Sequence, residues 1–64
     1  MKTYEISCTG WGCYLVDAET AIDALKQLQS ELSMLKDFRI HKNFLYHPDK
    51  PYMRFTAWEY SPNY

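Results

Sequence analysis

The sequence predicts an α+β domain: a four-stranded, mainly antiparallel sheet with one helix packed on one face, in the order β-β-α-β-β. Three observations lead there. Four stretches alternate apolar and polar side chains at the period of a strand. One stretch, 21–35, repeats apolar residues at spacings of three and four, the period of an amphipathic helix. The chain has 64 residues, 47% hydrophobic and 23% charged, which allows one folded domain, 1–64, and argues against disorder.

The first strand is read from residues 2–8. Tyr4, Ile6 and Cys8 point one way and Thr3, Glu5 and Ser7 the other. Thr9-Gly10-Trp11-Gly12 follows as a hairpin loop, because two glycines permit positive φ. Cys13 to Asp17 returns as the second strand, its register open because Cys13 and Leu15 compete with Tyr14 and Val16 for the inner face. Thr20 caps the next element, with Asp23 three residues on. Ala21, Ala24, Leu25, Leu28, Leu32 and Leu35 then form one stripe of a single helix over 21–35. Phe38 to His41 and Phe44 to His47 both alternate, and Lys42-Asn43 between them marks a β-bulge or a short turn. His47-Pro48-Asp49-Lys50-Pro51 reads as a second hairpin loop, since proline cannot donate to a ladder. The last strand runs from Tyr52 to Tyr60, and residues 61–64 form a frayed tail.

Charge and composition exclude several roles. Seven basic and eight acidic residues give a net charge of −1, too little to hold nucleic acid or an anionic membrane by bulk charge. No apolar run approaches the ~20 residues of a membrane span, and Met1 to Glu5 has no apolar signal-peptide core. A cytoplasmic protein is therefore expected. No Gly-rich phosphate loop, His-Glu-x-x-His or nucleophile elbow occurs. A domain this small also has little room for a pocket of about 300 Å³ or more. No enzymatic activity, catalytic residue or cofactor is expected.

Two small clusters need weighing. Cys8 and Cys13 flank the first loop, and a simple hairpin sets them opposite each other, close enough for a disulfide. Two reduced apolar side chains are the alternative. A zinc site would need Cys8, Cys13, His41 and His47 to converge from distant strands, and no metal is expected.

The stronger signal is aromatic. Residues 38–64 hold eight of the eleven Phe, Trp and Tyr residues. On the last strand Met53, Phe55 and Ala57 share one face, while Tyr52, Arg54, Thr56, Trp58 and Tyr60 share the other. Arg39, His41 and Tyr46 are expected beside the second set. The helix covers only one face, so this set meets solvent. Three readings compete there. Cross-strand aromatic pairs could simply stabilise an undersized sheet. Tyr, Trp and Arg dominate protein interfaces, self-association included. Aromatics with Arg also stack the bases of single-stranded nucleic acid, although residues 37–64 carry only four basic against three acidic groups. The protein interface is the expected use, with Trp11, Arg39, Tyr46, Tyr52, Arg54, Trp58 and Tyr60 as its contacts; nucleic-acid binding is the rival. Trp11, between two glycines, is either folded over the sheet edge or an exposed second anchor.

Val16-Asp17-Ala18-Glu19-Thr20-Ala21-Ile22-Asp23-Ala24-Leu25 carries a resemblance. An apolar strand end, a small residue, a Thr cap and an acidic-Ala pair opening a helix resemble the strand-to-helix junction of small DpnD/PcfM-like proteins of mobile elements and of antitoxins of the HicB type. The resemblance covers these ten residues. It implies a small phage- or plasmid-associated protein that acts by binding something larger, and an accessory that inhibits or adapts a larger host complex is the expected role. It transfers no catalytic residue.

Overall fold

The computed structural model describes residues 1–8 and 10–61. Five strands form one sheet: β1 Lys2–Cys8, β2 Gly12–Ala18, β3 Arg39–His41, β4 Phe44–His47 and β5 Lys50–Glu59. Their spatial order is β2-β1-β5-β4-β3, and every neighbouring pair is antiparallel. A helix, α1 Ala21–Glu31, and a 3₁₀ turn, Ser33–Leu35, cover one face.

The expected four-stranded sheet is corrected to five. Lys42-Asn43 is a tight turn, and it splits the expected third strand into β3 and β4, which pair with each other. Lys42 adopts φ 53°, a left-handed conformation unusual for a side chain of its kind. Asn43 fixes the turn from the far side: its carbonyl accepts from the Ala57 N–H at 2.7 Å, and its amide Nδ2 donates to the Ala57 carbonyl at 3.1 Å. The chain thereby stays level with β5 as it reverses.

The helix is shorter than its stripe suggests. Thr20 caps it as expected, its Oγ1 accepting from the Asp23 N–H at 3.1 Å. Regular helix then ends at Glu31, because Leu32 is extended at φ −109°, ψ 100°. Gln29 holds the chain after the break: its Nε2 donates to the Leu35 carbonyl at 2.9 Å and to the Phe38 carbonyl at 2.7 Å. The break lets Leu35 and Phe38 descend onto the sheet beyond the end of α1, and both are buried.

The core lies between this layer and the inner sheet face. Ile6, Leu25, Leu28, Leu35, Leu45 and Phe55 are its largest fully buried side chains. Tyr4 faces Val16 and Ile6 faces Tyr14 across β1 and β2, so the inner set of β2 is Tyr14, Val16 and Ala18. That register leaves Cys13, Leu15 and Asp17 outside. It also separates the cysteines. Cys8 pairs with Gly12 and is buried on the inner face, whereas Cys13 pairs with Ser7 and is exposed on the outer face. Side chains on opposite faces cannot form a disulfide, so the expectation of facing cysteines fails. The cause is a loop one residue shorter than expected, closed by the Trp11 N–H donating to the Cys8 carbonyl at 2.9 Å. Thr9 within this loop and most of the expected frayed tail (62–64) lie outside the described residues.

Candidate functional site

The outer face of the sheet carries no layer of its own, and its side chains follow from the strand registers. Ser7 pairs with Cys13 and Thr56, Thr56 with Phe44, and Phe44 with His41. A second row runs Leu15, Glu5, Trp58. A third runs Arg39, Tyr46, Arg54. Tyr52 continues the same face beyond Arg54 by strand alternation.

The third row and its neighbours form an aromatic and basic cluster. The Arg54 guanidinium lies 4.4 Å from the centroid of the Phe44 ring, a cation–π contact. Phe44 also meets His41 edge-on at 5.5 Å and lies 6.1 Å from Tyr46. Among the described residues neither Arg39 nor Arg54 is in a salt bridge. The cluster borders an open groove of about 410 Å³ lined by His41, Phe44, Tyr46, His47, Pro48, Pro51 and Arg54. This exceeds the volume expected for so small a domain, but it is a surface groove and not an enclosed pocket. Beside it the β4–β5 ladder shifts register between Tyr46, which pairs with Arg54, and His47, which pairs with Lys50. Residues 51–53 bow out opposite that step. Pro51 is tolerated there because no ladder bond needs its missing N–H. Tyr52 sits on the bow and is 77% exposed.

The predicted contacts thus fall into two groups. Arg39, Tyr46, Tyr52 and Arg54 lie together on the outer face, and Trp58, 57% exposed, shares that face four residues farther along β5. Tyr60 follows the end of β5, its N–H donating to the Thr3 carbonyl at 2.8 Å. Trp11 is elsewhere. Its ring meets Phe55 edge-on at 6.1 Å, on the helix side of the sheet, and its Nε1 donates to the Tyr14 hydroxyl at 3.2 Å. Trp11 packs against the end of the core that α1 does not reach, and it stays 46% exposed. It lines a small hollow of about 130 Å³ with Met34, Leu35, Phe38 and Met53.

Several members of the outer face are not predicted by the sequence, Phe44 and Leu15 among them. Phe44 is the ring under Arg54, and its side of the sheet depends on whether 42–43 is a bulge or a turn. Leu15 is 58% exposed beside Glu5 and Trp58, and its side depends on the register of β2. The face also carries acid. Glu5 stands between Leu15 and Trp58, and the Asp17 carboxylate accepts from the Thr3 hydroxyl at 2.7 Å. The face therefore has a basic, aromatic half on β3, β4 and the start of β5, and an acidic, apolar half on β1 and β2.

Among the described residues no group of three or more His, Cys, Asp or Glu is arranged to hold a metal ion. Among the described residues no helix is long and apolar enough to cross a membrane. Comparison with protein families, characterised proteins and solved structures found no match, so the reading of function rests on this chain's own geometry.

Proposed function

We propose that this chain is a non-enzymatic protein-binding module that uses its outer sheet face, with Arg54 and Trp58 as principal anchors and Arg39, Tyr46 and Tyr52 around them. The observation that carries this reading is the mixture on that face. Large exposed apolar groups, Leu15 and Trp58, flank a carboxylate, Glu5, a few residues from the Arg39–Tyr46–Arg54 row. A protein surface accommodates apolar groups with both signs of charge, and Trp, Tyr and Arg contribute most where such surfaces meet. A strand of nucleic acid favours a groove of one sign. Carboxylates on the partner would meet Arg39 and Arg54, and its apolar side chains would enter the groove beside Pro48 and Pro51. The 16–25 resemblance, which implies a protein that acts by binding something larger, points the same way.

The test replaces Arg54 and Trp58 with Ala together. The double variant should keep the wild-type far-UV spectrum and a cooperative melt, yet lose the protein that the wild type retains from its source cell. Unfolding of the variant would assign these side chains to the sheet's stability instead. The nucleic-acid reading is tested separately in a Trp11→Phe background, where Trp58 is the only fluorophore of its kind. Mixed-sequence oligonucleotides at low salt should leave its emission unchanged. Saturating quenching that fades with added salt would favour nucleic acid.

A further inference from the structure

The two edges of the sheet differ. β3 is three residues long and carries Arg39 and His41. β2 is seven residues long, Gly12–Ala18, with no Lys, Arg, Pro or internal bulge, and Asp17 is its only charge. Natural sheets blunt a long edge with such devices, because its unpaired N–H and C=O groups are a template for another strand.

The hydrogen bonding shows which groups are open. The Thr3 carbonyl accepts from Tyr60, on the β5 side, so the Thr3–Asp17 pair is one that exchanges no ladder bonds. By alternation Cys13, Leu15 and Asp17 all turn their N–H and C=O groups outward, away from β1. A side chain confirms it independently: Gln27 Nε2 reaches down from α1 and donates to the outward Asp17 carbonyl at 3.1 Å.

We propose that β2 pairs antiparallel with β2 of a second copy of this chain, about a two-fold axis through Leu15. That register alone pairs all three outward-facing residues with one another: Leu15 with its counterpart, and Cys13 with Asp17 on each side. Four ladder bonds form between open groups, and the other two, from each Cys13 N–H to the facing Asp17 carbonyl, share that oxygen with Gln27 Nε2 or displace it. The two Asp17 carboxylates end four residues apart along the ladder, roughly 13 Å, beyond the screening length of about 8–10 Å in physiological salt. The two exposed Leu15 side chains cover each other on the outer face. The result is a continuous ten-stranded sheet that joins two outer faces into one. Asp23, Gln27 and Glu31 share the side of α1 that overhangs β2, so the two helices bring like charges toward the seam. The dimer should therefore tighten as salt is added. The pairing takes Leu15 out of the exposed outer face but leaves Arg54 and Trp58 untouched, so loss of partner binding in the Arg54 and Trp58 variant and loss of the dimer in the Leu15 variants are read independently.

The test combines sedimentation with amide exchange across a concentration series. Dimer should form as concentration rises. The amides of Cys13, Leu15 and Asp17 should slow by roughly tenfold with it, while those of Tyr14 and Val16, already bonded to β1, stay constant. Leu15→Pro removes a donor that points to solvent in a single chain, so the variant should fold and remain monomeric. Should Leu15→Pro unfold, Leu15→Lys provides the same test through edge charge. A wild type monomeric throughout would overturn the proposal. So would a dimer whose odd-numbered amides stay fast, or one that survives both substitutions.

Discussion

The edge-to-face trio of Trp11, Phe55 and Phe38 closes the part of the core that α1 leaves open, and Phe55 is its centre. Phe55 is 0% exposed, with Phe38 at 5.7 Å and Trp11 at 6.1 Å. A 64-residue domain has about 3–10 kcal/mol of stability in all. Phe55→Ala would remove about 3–5 kcal/mol and leave too little folded protein to measure well. Phe55→Leu keeps most of the volume. It should cost about 1 kcal/mol for imperfect refilling and about 0.5–1.5 kcal/mol for each of the two edge-on ring pairings it abolishes. A total of about 2–4 kcal/mol would lower Tm by about 8–32 °C for a domain of this size. The assay is equilibrium urea unfolding followed by tryptophan emission, within a double-mutant cycle that includes Trp11→Leu. Phe55 and Trp11 should couple by about 0.5–1.5 kcal/mol. Additive losses, or a Tm within about 3 °C of wild type, would refute the packing of Trp11 on Phe55 as a stabilising contact.

Other variants probe single features. Lys42→Gly relieves the left-handed φ of 53° and should stabilise by about 0.5–1 kcal/mol in a thermal melt. Gln29→Leu strips the Leu35 and Phe38 carbonyls of their donor and should cost about 1–3 kcal/mol by urea titration. Thr20→Ala removes the α1 cap and should cost about 1 kcal/mol in the same assay. In the folded protein a thiol reagent should modify the exposed Cys13 and spare the buried Cys8, with mass spectrometry showing one adduct.

Much of this fold is legible in residue order, and the exceptions have physical causes. The alternation of Tyr4, Ile6 and Cys8, and that of Met53, Phe55 and Ala57, reports sheet faces directly, because strand period and burial coincide. The Thr20 cap is local and equally readable. The helix end is not. Leu32 and Leu35 keep the i,i+3 spacing whether a helix continues or a 3₁₀ turn replaces it, and the break is held by Gln29 reaching six and nine residues ahead. The turn at Lys42-Asn43 is hidden for a similar reason. Neither residue is the glycine such a turn favours, and the bonds that fix it come from Ala57 on β5. Most of the outer-face set is readable from alternation in the last strand. Trp11 is not, because a loop residue has no period and its position depends on what the helix leaves uncovered.

The central claim is that the outer face, and not the helix side, meets a protein. A photo-crosslinking amino acid placed at Tyr52 or at Met34, 77% and 47% exposed on opposite faces, tests it in the source cell. The account predicts a protein adduct of defined mass from position 52 and none from position 34. Adducts from position 34 alone, or nucleic acid as the species captured at position 52, would contradict it.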